Sequence, residues 1–122
     1  MSDRNAKTNF AQVNAEEVLA KVAALPLSTW NYKSQAEDIR HIGPMAQDFK
    51  AAFGVGETDT GITTVDADGV ALAAIQGLNE KVEVRSQKSE DRIQILESEN
   101  ADLRTRLEKL ERLLGANHGG AK

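Results

Sequence analysis

Three side chains near the start of the chain, Ser2, Asp3 and Lys7, are of types that do chemistry together. A serine hydroxyl is a weak nucleophile until a base takes its proton. A lysine amine does that only when neutral, whereas its reference pKa is about 10.4. A working Ser–Lys pair therefore needs its lysine desolvated or set beside another cation, and Arg4 is the nearest such group in the sequence. Backbone amides would have to hold the oxyanion. The plainer reading stands beside this one: Ser-Asp pairs are common turn and cap formers, and Asp3 is most simply a turn residue.

The remaining candidates for chemistry are thin. There is no cysteine, so neither a disulfide nor a thiolate metal site is available, and the redox compartment stays open. His41 and His118 lack metal-ligand spacing, and His41 beside Ile42 reads as a structural histidine. Asp66 and Asp68 in "VDADG" lack the other ligands of an EF-hand loop and read as caps for a long helix. The glycines of "GVGETDTG" fit neither a P-loop nor a dinucleotide fingerprint. No metal and no cofactor are expected.

With 122 residues the chain is one domain, or a small unit with an appendage. It is 40% hydrophobic and 28% charged but only 4% aromatic, so it lacks the bulky side chains that fill a large core, and part of its burial must come from partner chains. A net charge of −4 argues against a phosphate-backbone binder. The longest apolar run, "GVALAAI" at 69–75, is far short of the roughly 20 residues that span a bilayer, and the start of the sequence has no apolar leader core. Neither nucleic acid nor a membrane is an expected partner.

The elements that must position the candidate pair are legible in outline. Asn14 with Glu17, flanked by the staple positions Val13 and Val18, predicts a helix from Ala15 that stops near Leu25, ahead of Pro26. "STWNYK" predicts a strand through Thr29, Trp30 and Tyr32. In "RHIGPMAQDFKAAFG" the chain turns at Gly43, Pro44 takes the first position of a second helix, Met45, Phe49 and Phe53 form a core stripe, and Gly54 ends it. From Asp68 a proline-free helical pattern runs to Leu114, and "GANHGGAK" reads as a disordered tail. The fold class is α+β, mainly α: segment 1–9, a compact mixed unit at 10–67, a long helix at 68–114 and a tail at 115–122.

The long helix carries heptads. With Ile93, Asn100, Leu107 and Leu114 at a, Leu96, Leu103 and Leu110 fall at d, a coiled-coil seam with one polar position that fixes register. The g residues Arg92, Glu99 and Arg106 then meet e residues Glu97, Arg104 and Glu111 of a parallel neighbour, opposite in sign each time. An antiparallel pair centred on Glu99 would set like against like, so the helices run parallel. Strand number stays open from the seam, since Ile at a with Leu at d and Asn100 leans toward two strands, and a trimer must be argued from elsewhere. Upstream, Ile75, Leu78 and Val82 keep three-four spacing, and the eleven-residue step from Val82 to Ile93, through Ser86 and Ser89, reads as a stutter.

Taken in order, "SDRNAKTNF", "LPLSTWNYK", "RHIGPMAQDF" and "VDADGVALAAIQGLNEKVE" resemble the C-terminal intramolecular chaperone domain of phage endosialidases, tailspikes and tail fibres, a self-cleaving serine peptidase type. The resemblance implies a homotrimer that assists folding of an upstream β-rich fibre chain and then cuts itself off, in the cytoplasm of the producing bacterial cell. The family's motif is a serine and aspartate followed by a lysine five residues after the serine, matched by Ser2, Asp3 and Lys7. It implies Ser2 as nucleophile, Lys7 as general base, a scissile bond just before Ser2, and a chain that looks like the released product. Two rival readings are a non-catalytic oligomerisation module of a fibre or adhesin, and a scaffold whose coiled coil docks another protein.

Overall fold

The computed structural model describes residues 1–120, with side chains to residue 116. The protein is mostly helical with one small sheet and a long C-terminal helix. In order come a 3-10 helix at Arg4–Ala6, α1 at Ala15–Ala24, β1 at Ser28–Trp30, β2 at His41–Gly43, α2 at Ala46–Phe53 and α3 at Thr64–Gly120. The chain divides into two compact units, Met1–Lys81 and Val82–Lys122, and α3 contributes to both.

In the first unit α1 begins where its cap predicts, with the Asn14 side chain accepting from the Glu17 backbone N–H at 3.1 Å. It ends at Ala24 with Leu25 as C-cap, whose extended backbone (ψ 125) suits the residue before a proline. Val13 and Val18, the staple pair, together line a cavity of about 350 Å³ with Phe53, Val55, Val65 and Val70.

The sheet differs from the expected strand. β1 stops at Trp30 because Tyr32 enters a turn: the Gln35 N–H donates to the Tyr32 carbonyl at 3.0 Å, and the Tyr32 N–H turns to the Gln35 side chain at 3.4 Å. The partner strand β2 pairs antiparallel with it, Ser28 opposite Gly43, Thr29 opposite Ile42 and Trp30 opposite His41. Only three residues long, β2 has no alternation that a sequence reading would register.

Pro44 does not open α2. Gly43 is held extended by its pairing with Ser28, and Met45 is also extended (ψ 142) and serves as N-cap, so the helix closes only from Ala46. Phe49 is 5% exposed and meets the tilted ring of Phe53 at 4.9 Å between ring centroids, whereas Met45 lies outside the helix and is exposed. Gly54 ends α2 in the left-handed region at φ 63.

α3 starts at Thr64, four residues before the expected Asp68, because Thr63 is the cap. Its hydroxyl oxygen accepts from the Asp66 N–H at 3.3 Å and the hydroxyl donates to the Asp66 carboxylate at 2.8 Å, while Ala67 N–H reaches the Thr63 carbonyl at 3.0 Å. Asp66 therefore answers the cap rather than forming it, and Asp68 lies inside the helix. One face of residues 64–81 lies against α1. Ala74 is 7% exposed, and a Cβ on Gly77 would collide with the Ala15 carbonyl.

The second unit is helix throughout its described length. The backbone stays helical to Gly120, beyond the expected end at Leu114, so the residues 115–120 read as disordered tail are helical; 121–122 lie outside the described residues. A helix of this length needs no terminating signal at Gly115, since a lone glycine costs only about 1 kcal/mol relative to alanine.

Candidate functional site

Near the start of the chain, residues 3–7 make a tight turn. The Asp3 carboxylate accepts from the Asn5 N–H at 3.0 Å, the Asp3 carbonyl from Ala6 N–H at 3.1 Å, and the Arg4 carbonyl from Lys7 N–H at 3.2 Å. Asp3 and Lys7 cap the 3-10 helix at its two ends, both with extended backbone. Ser2 and Lys7 thus leave the turn on either side of it. Their side chains meet: Lys7 Nζ donates to Ser2 Oγ at 2.6 Å.

This contact has the reach that proton transfer between a serine and a lysine requires. Written with an ammonium, the lysine donates; in a base role the same line would carry the serine proton the other way. Both residues are exposed in the single chain. The Arg4 guanidinium, the cation nearest in sequence, has no hydrogen-bond or ion-pair partner among the described residues.

The other candidate residues fall elsewhere. His41 is in β2, its ring 5.0 Å from Trp30 and 5.3 Å from Tyr32, with Nε2 3.0 Å from the Gln35 side-chain oxygen. It belongs to an aromatic cluster that also sets Trp30 edge-on to Tyr32 at 4.8 Å. The side chain of His118 lies outside the described residues. Among the described residues, no cluster of three or more His, Asp or Glu side chains is placed to hold a metal ion, and no helix is long and apolar enough to cross a membrane.

A second feature is the seam of α3. Ile93, Leu96, Leu103, Leu107, Leu110 and Leu114 are all exposed on the single chain, Leu103 and Leu110 at 57% each. Among the described residues, the flanking charges Arg92, Glu97, Glu99, Arg104, Arg106 and Glu111 form no ion pair within the chain. In the first unit Ala74 and Gly77 are buried, Gly77 against α1, while Leu72 and Ile75 are exposed.

That division of faces corrects the stutter. Counted back in sevens from Ile93 and Leu96, the register places Ser86 and Ser89, then Asn79 and Val82, then Leu72 and Ile75 at a and d. The step from Val82 to Ile93 is one heptad plus the ordinary four-residue stride from d to a, so the phase never shifts. Leu78, which falls at g, had obscured this. The serines are polar layers in a continuous pattern.

Residues 2–55 match the family model described as chaperone of endosialidase (Peptidase_S74). The matched segment holds the Ser2–Lys7 turn, α1, both strands and α2. The resemblance to the endosialidase chaperone domain is shown by this match, which supports a chaperone role. No curated protein matches the chain.

Proposed function

We propose that this chain is an intramolecular chaperone that trimerises through α3, assists the folding of an upstream β-rich fibre or tailspike, and is then released by cleavage of the bond before Ser2. The observation that carries the release step is the 2.6 Å contact between Lys7 Nζ and Ser2 Oγ.

The chemistry runs on these two side chains. A neutral Lys7 amine takes the hydroxyl proton of Ser2, and Oγ attacks the carbonyl carbon of the preceding residue, closing a small ring through Ser2's own Cβ, Cα and N. Lys7 returns the proton to the Ser2 nitrogen as the amide C–N bond breaks. The upstream chain is then held as an ester on Oγ. Water hydrolyses that ester, freeing an upstream carboxylate and regenerating the hydroxyl. The lysine has to enter neutral, and burial disfavours its charged form. Since Ser2 and Lys7 are exposed in the single chain, packing of further copies or of the upstream fibre over this turn supplies the desolvation. Cleavage then waits for assembly.

Parallel association rests on the exposed seam and its unpaired flanking charges, and the number three on the resemblance to the endosialidase chaperone domain. Three chains tied in register raise one another's effective concentration for slow, non-local β-pairing. Removal of the tie leaves the finished fibre without its registering device, which makes its unfolding hard to reverse.

The test joins the native upstream segment to the chain and compares wild type with Ser2→Ala and Lys7→Ala on a denaturing gel. Cleavage in wild type alone is expected. Three equal uncut bands would leave the second reading, a non-catalytic oligomerisation module, which the exposure of Ser2 and Lys7 in the single chain favours.

A further inference from the structure

We infer that Asp3 is a positioning residue of the cleavage site, its carboxylate fixing the 3-10 turn that brings the Lys7 amine to the Ser2 hydroxyl. The inference rests on the autoproteolytic reading above.

Five residues of extended chain span roughly 17 Å, well beyond what a lysine side chain reaches back across. The turn shortens that span, because a 3-10 helix rises only about 2 Å per residue. What holds so short a turn is a handful of bonds. Two are backbone bonds, Ala6 N–H to the Asp3 carbonyl and Lys7 N–H to the Arg4 carbonyl. The third is the Asp3 side chain on Asn5 N–H at 3.0 Å, and it is the one of the three that a side-chain truncation removes.

The charge of Asp3 is not what the chemistry asks for. A carboxylate near an amine favours the ammonium form, which opposes a base role. An acidic residue here makes sense as a short acceptor able to cap the second N–H after it. Asparagine does that equally well, and alanine does not.

The experiment follows first-order cleavage of the full chain with its native upstream segment, in wild type, Asp3→Asn, Asp3→Ala and Ser2→Ala, with solution mass measured for each. Asp3→Asn is expected within about twofold of wild type, and Asp3→Ala about fivefold slower, the ratio expected for loss of one cap. The number of chains per particle, measured before cleavage has advanced, is expected to be the same for all four. Asp3→Ala at the wild-type rate overturns the inference, and so does Asp3→Asn as slow as Asp3→Ala, which would make the charge decisive. An uncut wild type, indistinguishable from Ser2→Ala, overturns the autoproteolytic reading itself. A cleaving wild type with insensitive Asp3 variants sinks this inference alone.

Discussion

The Ala15 carbonyl lies so close over Gly77 that no side chain fits between them, and a Cβ there would also press within 3.1 Å of Leu19 Cβ. α1 comes closest to residues 64–81 of α3 at this gap. Gly77→Ala should therefore destabilise the first unit by about 1–3 kcal/mol, the usual cost of overpacking, even though alanine is the better helix former. Gly115→Ala, with nothing within 4 Å of the added Cβ, should be neutral or stabilising by up to about 1 kcal/mol. Thermal melts of the two variants should shift in opposite directions, or Gly77 alone should fall.

Leu103 and Leu110 are more than half exposed on the single chain and sit at successive d positions. Replacing either by aspartate should abolish assembly, since a charge would be buried at every copy of that layer. Sedimentation velocity should then show a single chain. Asn100→Ile should act in the other direction, raising the melting temperature while admitting other strand numbers, which the same run would reveal as mixed species.

The flanking charges carry a separate expectation. Glu99→Arg sets like charges at its g–e pairing with Arg104 of a parallel neighbour, and adding Arg104→Glu restores the match. Each exposed pair is worth about 0.2–1 kcal/mol. The single variant should melt lower than wild type at low salt, the double variant should recover, and the gap should shrink in high salt.

How much of this was legible beforehand depended on how local each signal was. α1 could be read residue by residue because its cap, staple and terminating Pro26 all lie within one stretch of sequence. The contact between Ser2 and Lys7 was indicated by motif alone, since no periodicity marks a 3-10 turn of three residues. β2 was missed because a three-residue strand owes its existence to its partner, and Pro44 was misplaced because that pairing holds Gly43 extended. The unbroken heptad was hidden by Leu78, an apolar residue off the seam. Only the burial of Ala74 and Gly77, the latter against α1, shows which face of residues 64–81 is free.

The two helix caps offer a check on the local structure. Asn14→Ala removes the acceptor of Glu17 N–H, and Thr63→Ala removes both bonds to Asp66. Each should cost about 1 kcal/mol in chemical denaturation, within a range of roughly 0.5–2 kcal/mol. Asn14→Ser and Thr63→Ser should retain most of that stability.

The central claim is that copies of this chain join through α3 into a parallel trimer. Light scattering on the purified chain tests it most directly: the account predicts three times the 13.2 kDa chain mass. A mass of one or two chains at micromolar concentration would contradict it.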